Sequence, residues 1–276
     1  MHDFRDRRQG LRSYPFQTGS MEFIDTHTHL YDEAYGEECR EAVQRALDAG
    51  VRKMIMPDID SSTRGAMFSL AASYRDTLYP CIGLHPTSVG AGWEEEYRKV
   101  LEHKDRKDIV AVGEIGMDCY WSKDYVKEQQ EVLRLQLELS LELGLPAVIH
   151  SRDATGYIFD ILEGFRGRGL KGVFHAYSGS IETYSRLGQY GDWYVGIGGV
   201  VTFRNASIAE TIKSIPLERI LTETDSPYLT PVPFRGKRNE SAYIPYIAEK
   251  IADLKGTSIE KVAETTSDNA KRLFRI

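Results

Sequence analysis

Two histidines separated by one residue, His27 and His29, are the side chains of this sequence best placed to bind a metal ion. They follow the apolar pair Phe23-Ile24, which is typical of a β-strand. Side chains alternate between the two faces of a strand, so both imidazoles are expected on one side, about 6.5 to 7 Å apart along the chain. Imidazole nitrogens are common ligands of divalent cations. The pair therefore predicts a metal site at the end of the first strand.

Further side chains that can bind metal follow other apolar runs. Glu114 ends Val110-Ala-Val-Gly-Glu, His150 ends Ala147-Val-Ile-His, His175 ends Gly172-Val-Phe-His, and Asp225 follows Ile220-Leu-Thr-Glu-Thr. Nitrogen and carboxylate ligands together suit zinc, manganese or magnesium, and no cysteine cluster accompanies them to close a structural zinc site. Six ligands exceed the needs of one four-coordinate ion. Two ions about 3.5 to 4 Å apart, bridged by Glu114, would use them more completely.

A repeating unit of strand and helix must position these ligands. Apolar runs rich in Val, Ile and Tyr alternate with segments of helical periodicity, which is typical of βα units around a parallel sheet. The predicted strands are Glu22–Thr26, Lys53–Pro57, Tyr79–Leu84, Val110–Ile115, Ala147–Ser151, Gly172–Tyr177, Tyr194–Val200 and Ile220–Asp225. The predicted helices include Glu37–Ala49, Lys123–Leu143 and Ile181–Gln189, with closing helices at Tyr243–Ile251, Ser258–Thr265 and Ser267–Leu273. Eight units in about 250 residues predict a (β/α)8 TIM barrel of the α/β class, although strand count alone does not exclude an open doubly wound sheet.

The composition favours a single barrel domain of a cytoplasmic protein. The 276 residues are 41% hydrophobic and 28% charged, and no apolar run approaches the roughly 20 residues that a membrane-spanning helix needs. Three cysteines without a Cys-x-x-Cys pattern suit a reducing compartment. The net charge of −6 excludes global attraction to nucleic acid, so such binding would depend on local cations. Residues 1–20, with four arginines and two aspartates, are expected to be a disordered extension or leader before the domain at residues 21–276.

Six motifs, taken together, resemble those of the TatD family of metal-dependent deoxyribonucleases. They are Phe23-Ile-Asp-Thr-His-Thr-His-Leu, Gly83-Leu-His-Pro, Val112-Gly-Glu-Ile-Gly-Met-Asp, Val148-Ile-His-Ser-Arg-Asp-Ala, His175-Ala-Tyr-Ser-Gly-Ser and Thr222-Glu-Thr-Asp-Ser-Pro-Tyr-Leu. The resemblance extends to the C-terminus through Arg235-Gly-Lys-Arg-Asn-Glu and Asn269-Ala-Lys-Arg-Leu-Phe. The chain departs from the family pattern at Met117, Cys119, Ala176-Tyr177 and Ser241. None of these departures removes a ligand, although Cys119 and Tyr177 could alter the rim that contacts substrate.

The resemblance implies how the ligands divide between two divalent metal ions. His27, His29 and Asp225 would hold one ion, His150 and His175 the other, and Glu114 would bridge them. Such a pair supports hydrolysis of a phosphodiester bond by a metal-activated water. Asp225 is the candidate to orient and deprotonate that water, and His85 the candidate to hydrogen-bond a phosphate oxygen or leaving group. Glu223 is expected to hydrogen-bond a ligand histidine from deeper in the barrel.

The resemblance also implies a DNA substrate. Four candidate phosphate-binding residues are Arg152, Arg235, Lys237 and Arg238, with Tyr228 and Phe234 near the last three for stacking. A strand end entering a barrel mouth needs few phosphate contacts, which suits single-stranded or frayed DNA better than intact duplex. The resemblance further implies a 3′–5′ exonuclease, and the sequence shows no sign of a membrane association or an obligate protein partner.

Other functions are consistent with the same ligands. Barrels that hydrolyse cyclic amides, lactones or bases share His-x-His, later histidines and a terminal Asp, and fold alone does not separate them from nucleases. Glu114 favours phosphodiester chemistry, because many two-metal amidohydrolases have a modified lysine on that strand. Within the resemblance, an ester on tRNA is another substrate. A nucleic-acid-binding protein without activity is disfavoured because all six ligands are present.

Overall fold

In the computed structural model, which describes residues 21–276, eight parallel strands alternate with helices. The strands are β1 Phe23–Asp25, β2 Val51–Met56, β3 Leu78–Pro80, β4 Val112–Asp118, β5 Ala147–Arg152, β6 Lys171–Phe174, β7 Asp192–Ile197 and β8 Ile220–Thr222. The α-helices are α1 Cys39–Asp48, α2 Ser61–Ser73, α3 Trp93–Leu101, α4 Val126–Leu143, α5 Thr155–Glu163, α6 Ile181–Leu187, α7 Ile208–Ser214, α8 Ile244–Lys255 and α9 Ile259–Phe274. Within this range no helix has the length and apolar character needed to cross a bilayer. The extension or leader predicted at residues 1–20 lies outside the described residues.

The strands close into a barrel. β1, β2 and β3 pair in that order, and β4 to β8 pair in sequence order, all in parallel. Isolated bridges connect the two sheets, Ile82 with Val112 on one side and Thr28 with Ser226 on the other. An open doubly wound sheet would leave two free edges, whereas closure leaves none. The predicted (β/α)8 barrel is therefore confirmed.

One end of the barrel is closed by apolar packing. A buried cluster joins strand residues from around the barrel to the C-terminal helix: Ile24, Ile55, Val148, Val173, Leu221, Leu273 and Phe274. The Ser267 hydroxyl of α9 also donates a hydrogen bond to the carbonyl of Glu22, before β1, at 3.0 Å. α9 thus covers the end at which the strands begin. The βα loops emerge at the opposite end, where barrel enzymes carry their chemistry.

Two predicted element boundaries were wrong, and the first of them lies in the site. β4 continues beyond Glu114 to Asp118, so this glutamate lies within a strand rather than at its end. The two closing helices predicted at Ser258–Thr265 and Ser267–Leu273 are one helix, α9. The sequence predicts a new helix from Ser267. In the structure the Ser267 hydroxyl instead donates a hydrogen bond to the Glu22 carbonyl, and α9 continues through Ser267.

Two buried glutamines of α4 hold strand ends beside the site. Gln136 accepts from the backbone N–H of Leu84 at 2.7 Å and donates to its carbonyl at 3.1 Å. Gln129 makes the same pair of bonds with Asp118, at 2.9 and 3.1 Å. The two glutamines lie about two helical turns apart on one face of α4. This helix therefore fixes both the end of β4 and the segment that leads into His85.

We expect Gly116→Ala to destabilise the barrel strongly. Gly116 has a φ of +140°, and a Cβ there would lie 2.0 Å from the carbonyl oxygen of His150 on the neighbouring strand. A backbone oxygen in a central strand cannot move aside, so the free energy of unfolding should fall by at least about 3 kcal/mol and Tm by about 6 to 12 °C. Calorimetry measures both. Gly90→Ala is the matched control, because a Cβ there meets nothing within 4 Å; equal losses in the two variants would contradict the explanation.

Candidate metal centre

Glu114 lies at the centre of the site, and its two carboxylate oxygens face different histidines. Oε2 lies 3.0 Å from His27 Nε2 and 3.6 Å from His29 Nε2. Oε1 lies 2.7 Å from His175 Nε2 and 2.8 Å from His150 Nδ1. The Glu114 side chain is only 2% exposed. One buried carboxylate therefore lies between two groups of imidazoles, the arrangement that the predicted bridging role of Glu114 requires.

Asp225 completes the group around Glu114 Oε2. Its Oδ1 lies 3.6 Å from Nε2 of both His27 and His29, and those two nitrogens are 3.1 Å apart. The backbone N–H of Asp225 donates to the carbonyl of His27 at 2.8 Å. The Thr224 hydroxyl donates to the Asp25 carboxylate at 2.6 Å. These bonds tie the segment after β8 to the segment after β1, so the three candidate ligands meet.

His85 joins the group around Glu114 Oε1. Its Nε2 lies 3.1 Å from that oxygen, and its Nδ1 lies 2.6 Å from the Thr87 hydroxyl. Ligand atoms of His85, Glu114 and His150 lie close enough together to share an ion, as do those of His27, His29 and Glu114. His85 is therefore placed either to bind metal or to hydrogen-bond a substrate oxygen beside it.

Asp118 orients His150 and was missing from the predicted site residues. Its Oδ2 accepts from His150 Nε2 at 3.0 Å, which leaves Nδ1 to face Glu114. Such a carboxylate behind a ligand histidine fixes the tautomer and the ring orientation. The signal that could have found it is the spacing in β4, because residues 114, 116 and 118 lie on one face of the strand.

Glu223 approaches His175 but is not within hydrogen-bond distance. Its Oε1 lies 3.8 Å from His175 Nδ1 and accepts instead from the backbone N–H of Ala176 at 2.5 Å. Burial raises the pKa of this carboxyl to about 8. Gly196 on β7 provides the space, because a Cβ there would lie 1.9 Å from Glu223 Oε2. Glu223 thus lies behind His175 as predicted, but the predicted hydrogen bond to a ligand histidine is not formed.

Burial and mutual attraction set the protonation of the cluster. Burial, followed by repulsion from His175, lowers the pKa of His27 to about 4. Burial opposes a charge on His175 too, but Glu114 outweighs it and raises the pKa of His175 to about 10. Burial disfavours the ionised form of Glu114, yet the histidines hold its pKa well below its usual range. Glu114 is thus ionised and His27 neutral, the forms that bind metal, and a divalent cation would displace the proton of His175.

The donor set fits divalent cations. The distances around Glu114 run from 2.7 to 3.6 Å. Atoms bound to one ion at about 2.0 to 2.2 Å lie about 3.3 to 3.6 Å apart in tetrahedral geometry and about 2.8 to 3.1 Å apart in octahedral geometry. Imidazole nitrogens and carboxylates without thiolates are typical of open catalytic sites rather than closed structural ones. The residues that could hold metal are His27, His29, Glu114, His150, His175 and Asp225, with His85 beside them. Ligand atoms of Glu223 also lie close enough to those of His27 and His175 to share an ion.

Three of the predicted phosphate-binding residues place their charged groups over aromatic rings. The Arg152 guanidinium, at the end of β5, lies 3.8 Å from the centre of the Tyr120 ring. Arg235 lies 4.2 Å from the centre of the Phe203 ring. The Lys237 ammonium lies 5.9 Å from the centre of the Phe234 ring.

Arg238, the fourth, is engaged in the framework of the loops. Its guanidinium donates to the Glu38 carboxylate at 2.6 Å, to the Ala34 carbonyl at 2.8 Å and to the Glu240 carboxylate at 3.3 Å. These bonds tie the segment after β8 to the segment before α1. The structure therefore does not bring Arg238 together with the metal centre, and its contact with substrate stays a prediction.

A closed barrel whose strand ends bring histidines and an aspartate around a buried glutamate defines a metal-dependent hydrolase. The family model described as TatD related DNase matches residues 24–275, and the chain belongs to this family. The resemblance predicted from the motifs is thereby confirmed.

Relatives and solved structures agree with this assignment. The uncharacterized metal-dependent hydrolase YabD of Bacillus subtilis strain 168 is 40% identical over 254 residues, covering 92% of this chain and 99% of that protein. The uncharacterized metal-dependent hydrolase YcfH of Escherichia coli K12 is 33% identical over 265 residues, covering 93% of this chain and 97% of that protein. The crystal structure of YJJV, a TatD homolog from Escherichia coli K12, has a TM-score of 0.83 and 29% identity over 92% of this chain and 98% of that chain.

We expect Asp118→Asn to weaken binding of Mn²⁺ or Zn²⁺ about 10- to 100-fold, because an amide no longer fixes the tautomer of His150. Competition with a chromophoric chelator measures the dissociation constants. Asp108→Asn is the matched control, since Asp108 pairs with Arg106 on the exposed surface before β4. Equal metal affinity in the two variants would mean that Asp118 has no part in holding the site.

Proposed function

We propose that this hydrolase is a deoxyribonuclease that cleaves phosphodiester bonds with two divalent ions, Mg²⁺, Mn²⁺ or Zn²⁺. The observation that carries the proposal is the position of Glu114, with Oε2 toward His27 and His29 and Oε1 toward His150 and His175. Displacement at phosphorus places negative charge on both the attacking and the leaving oxygen. Two divalent ions would compensate that charge, and a carboxylate shared by two groups of ligands suits the binding of two ions. The description of the family, TatD related DNase, supports the same substrate class.

The side chains around Glu114 have distinct roles in the proposed reaction. Bound ions would compensate the charge of the phosphoryl group and lower the pKa of water. Asp225 orients the attacking water and accepts its proton; its side chain is 16% exposed, against 0% for His27 and 5% for His29. His85, on the other side of Glu114 and 11% exposed, uses Nε2 to hydrogen-bond a phosphate oxygen or the leaving group.

The proposed substrate is the end of single-stranded or frayed DNA, degraded from 3′ to 5′ in the cytoplasm without an obligate protein partner. A net charge of −6 disfavours capture of duplex DNA along its length. A strand end needs only a few phosphate contacts at the barrel mouth. Arg152, Arg235 and Lys237 are the cations that support these contacts.

We expect Asp225→Asn to lower kcat at least about 100-fold while lowering metal occupancy far less, because an amide cannot accept the proton of water. Protein stripped with EDTA is supplied with Mg²⁺, Mn²⁺ or Zn²⁺ and given end-labelled single-stranded DNA, and metal content is measured by mass spectrometry. A ladder of products that requires metal supports the nuclease and reveals its polarity. Equal losses of turnover and metal would refute a role beyond ligation.

The same assay separates the proposal from its alternatives. Activity that survives in Asp225→Asn would indicate a contaminating nuclease. Protein with full metal occupancy that cleaves no DNA would refute the nuclease, and esters on tRNA and cyclic amides would then be tested. Oligonucleotide binding without hydrolysis of any of these substrates would favour a binding protein.

We expect linear single strands and frayed ends to be cleaved much faster than covalently closed duplex circles, because the barrel mouth receives a strand end. Initial rates on substrates of equal nucleotide concentration measure the preference. A closed single-stranded circle is the control that separates the need for an end from the need for unpaired bases. Closed duplex circles cut at the rate of linear single strands would contradict this preference.

A further inference from the structure

The exposed large apolar side chains of residues 21–276 lie at one end of the barrel. All of them belong to segments that follow β4, β5 or β8: Tyr120, Trp121, Tyr125, Tyr157, Tyr228, Leu229 and Val232. Trp121 is 71% exposed and Tyr120 is 55% exposed. Such apolar groups gathered on one surface indicate a binding site. Because these segments follow strands, the surface surrounds the metal centre rather than the end closed by α9.

Tyr120, Trp121 and Arg152 form a stacked group, here named the rim platform. The Arg152 guanidinium carbon lies 3.8 Å from the centre of the Tyr120 ring and 5.3 Å from that of Trp121. The two rings meet edge to face, with centres 5.0 Å apart and planes at 86°. Within the described part of the chain, no acidic side chain pairs with Arg152. A guanidinium stacked on a ring keeps its in-plane N–H groups for an anion.

Asp118 connects the rim platform to the metal centre. Its Oδ1 accepts from the backbone N–H groups of Tyr120 at 3.0 Å and Trp121 at 3.4 Å. Its Oδ2 faces His150 at 3.0 Å. Arg152 follows His150 by two residues on β5 and lies on the same side of the strand, about 6.5 to 7 Å further along. The platform is thus connected to a candidate metal ligand through the carboxylate of Asp118.

We infer that the rim platform stacks an unpaired base near the end of the substrate while Arg152 binds an adjacent phosphate, an inference that rests on the proposed nuclease function. Aromatic faces beside cations are the means by which proteins hold single strands without reading their sequence. A base in a duplex is already stacked and paired, so its face is not available to Trp121. The rim platform would therefore select unpaired ends and direct the backbone toward Glu114.

The test measures binding and turnover separately. Rapid mixing of Mn²⁺-loaded protein with decathymidylate is expected to quench tryptophan fluorescence before cleavage, since Trp121 is 71% exposed whereas Trp193 is 4% exposed and Trp93 is partly buried against the core. Trp121→Ala should raise KM about 5- to 100-fold with kcat little changed, and Trp121→Phe should retain most of the affinity. Arg152→Ala should weaken binding and reduce its salt dependence by about one phosphate contact. Arg168→Ala is the matched control, because Arg168 pairs with Glu138 and lies between α5 and β6, at the other end of the barrel.

Abasic substrates identify the stacked base. An abasic site at one of the last three positions should raise KM for the unmodified protein, and Trp121→Ala should show no further increase on that substrate. Cleavage with an unchanged KM in Trp121→Ala, or no effect of any of the three abasic sites, would overturn the stacking role and leave the nuclease intact. Metal-loaded protein that neither changes fluorescence with oligonucleotides nor cleaves them would overturn both proposals.

Discussion

The charge of Glu114 is the constraint on which the arrangement of the strand ends depends. An ionised carboxylate that is 2% exposed needs compensation, because an unpaired buried charge costs several kcal/mol. The compensating groups come from other parts of the barrel: His27 after β1, His85 after β3, His150 on β5 and His175 after β6. Each ring can reach Glu114 only if its own strand ends at the correct height. Barrel closure therefore brings these side chains together, and their attraction to Glu114 in turn stabilises the strand ends that carry them.

A second layer of contacts determines which nitrogen each ring presents. One ring nitrogen of His150 contacts Asp118, and one ring nitrogen of His85 contacts Thr87. His29 Nδ1 lies 2.9 Å from the Tyr31 hydroxyl. Gln129 makes two hydrogen bonds with the backbone of Asp118. The packing of α4 against the barrel therefore affects the position of Asp118, and through its carboxylate the orientation of His150. A change in the first turn of α4 can thus alter the orientation of a candidate ligand without touching it.

The sequence predicts that the candidate ligands come together, because each is a polar residue that follows an apolar run and barrel closure gathers such positions at one face. It does not predict that Glu114 lies within β4, because a charged residue after an apolar run is the usual sign that a strand has ended. The roles of Asp118 and Arg238 depend on partners that are distant along the chain, His150 and Glu38. Strand register and loop packing determine those contacts, and neither is visible in local patterns.

The net negative charge of the chain is compatible with the proposed nucleic-acid substrate. Long-range attraction depends on the net charge, whereas contact at the barrel mouth depends on a few local groups. The net charge is −6 and repels an extended duplex. Among the local groups, Arg152 and Arg235 lie on aromatic rings. Stacking is little affected by salt and needs an unpaired base, whereas phosphate attraction acts on any strand. In the proposed function, a site that combines weak global repulsion with local stacking would discriminate against duplex DNA, and this is the selectivity that degradation of frayed ends requires.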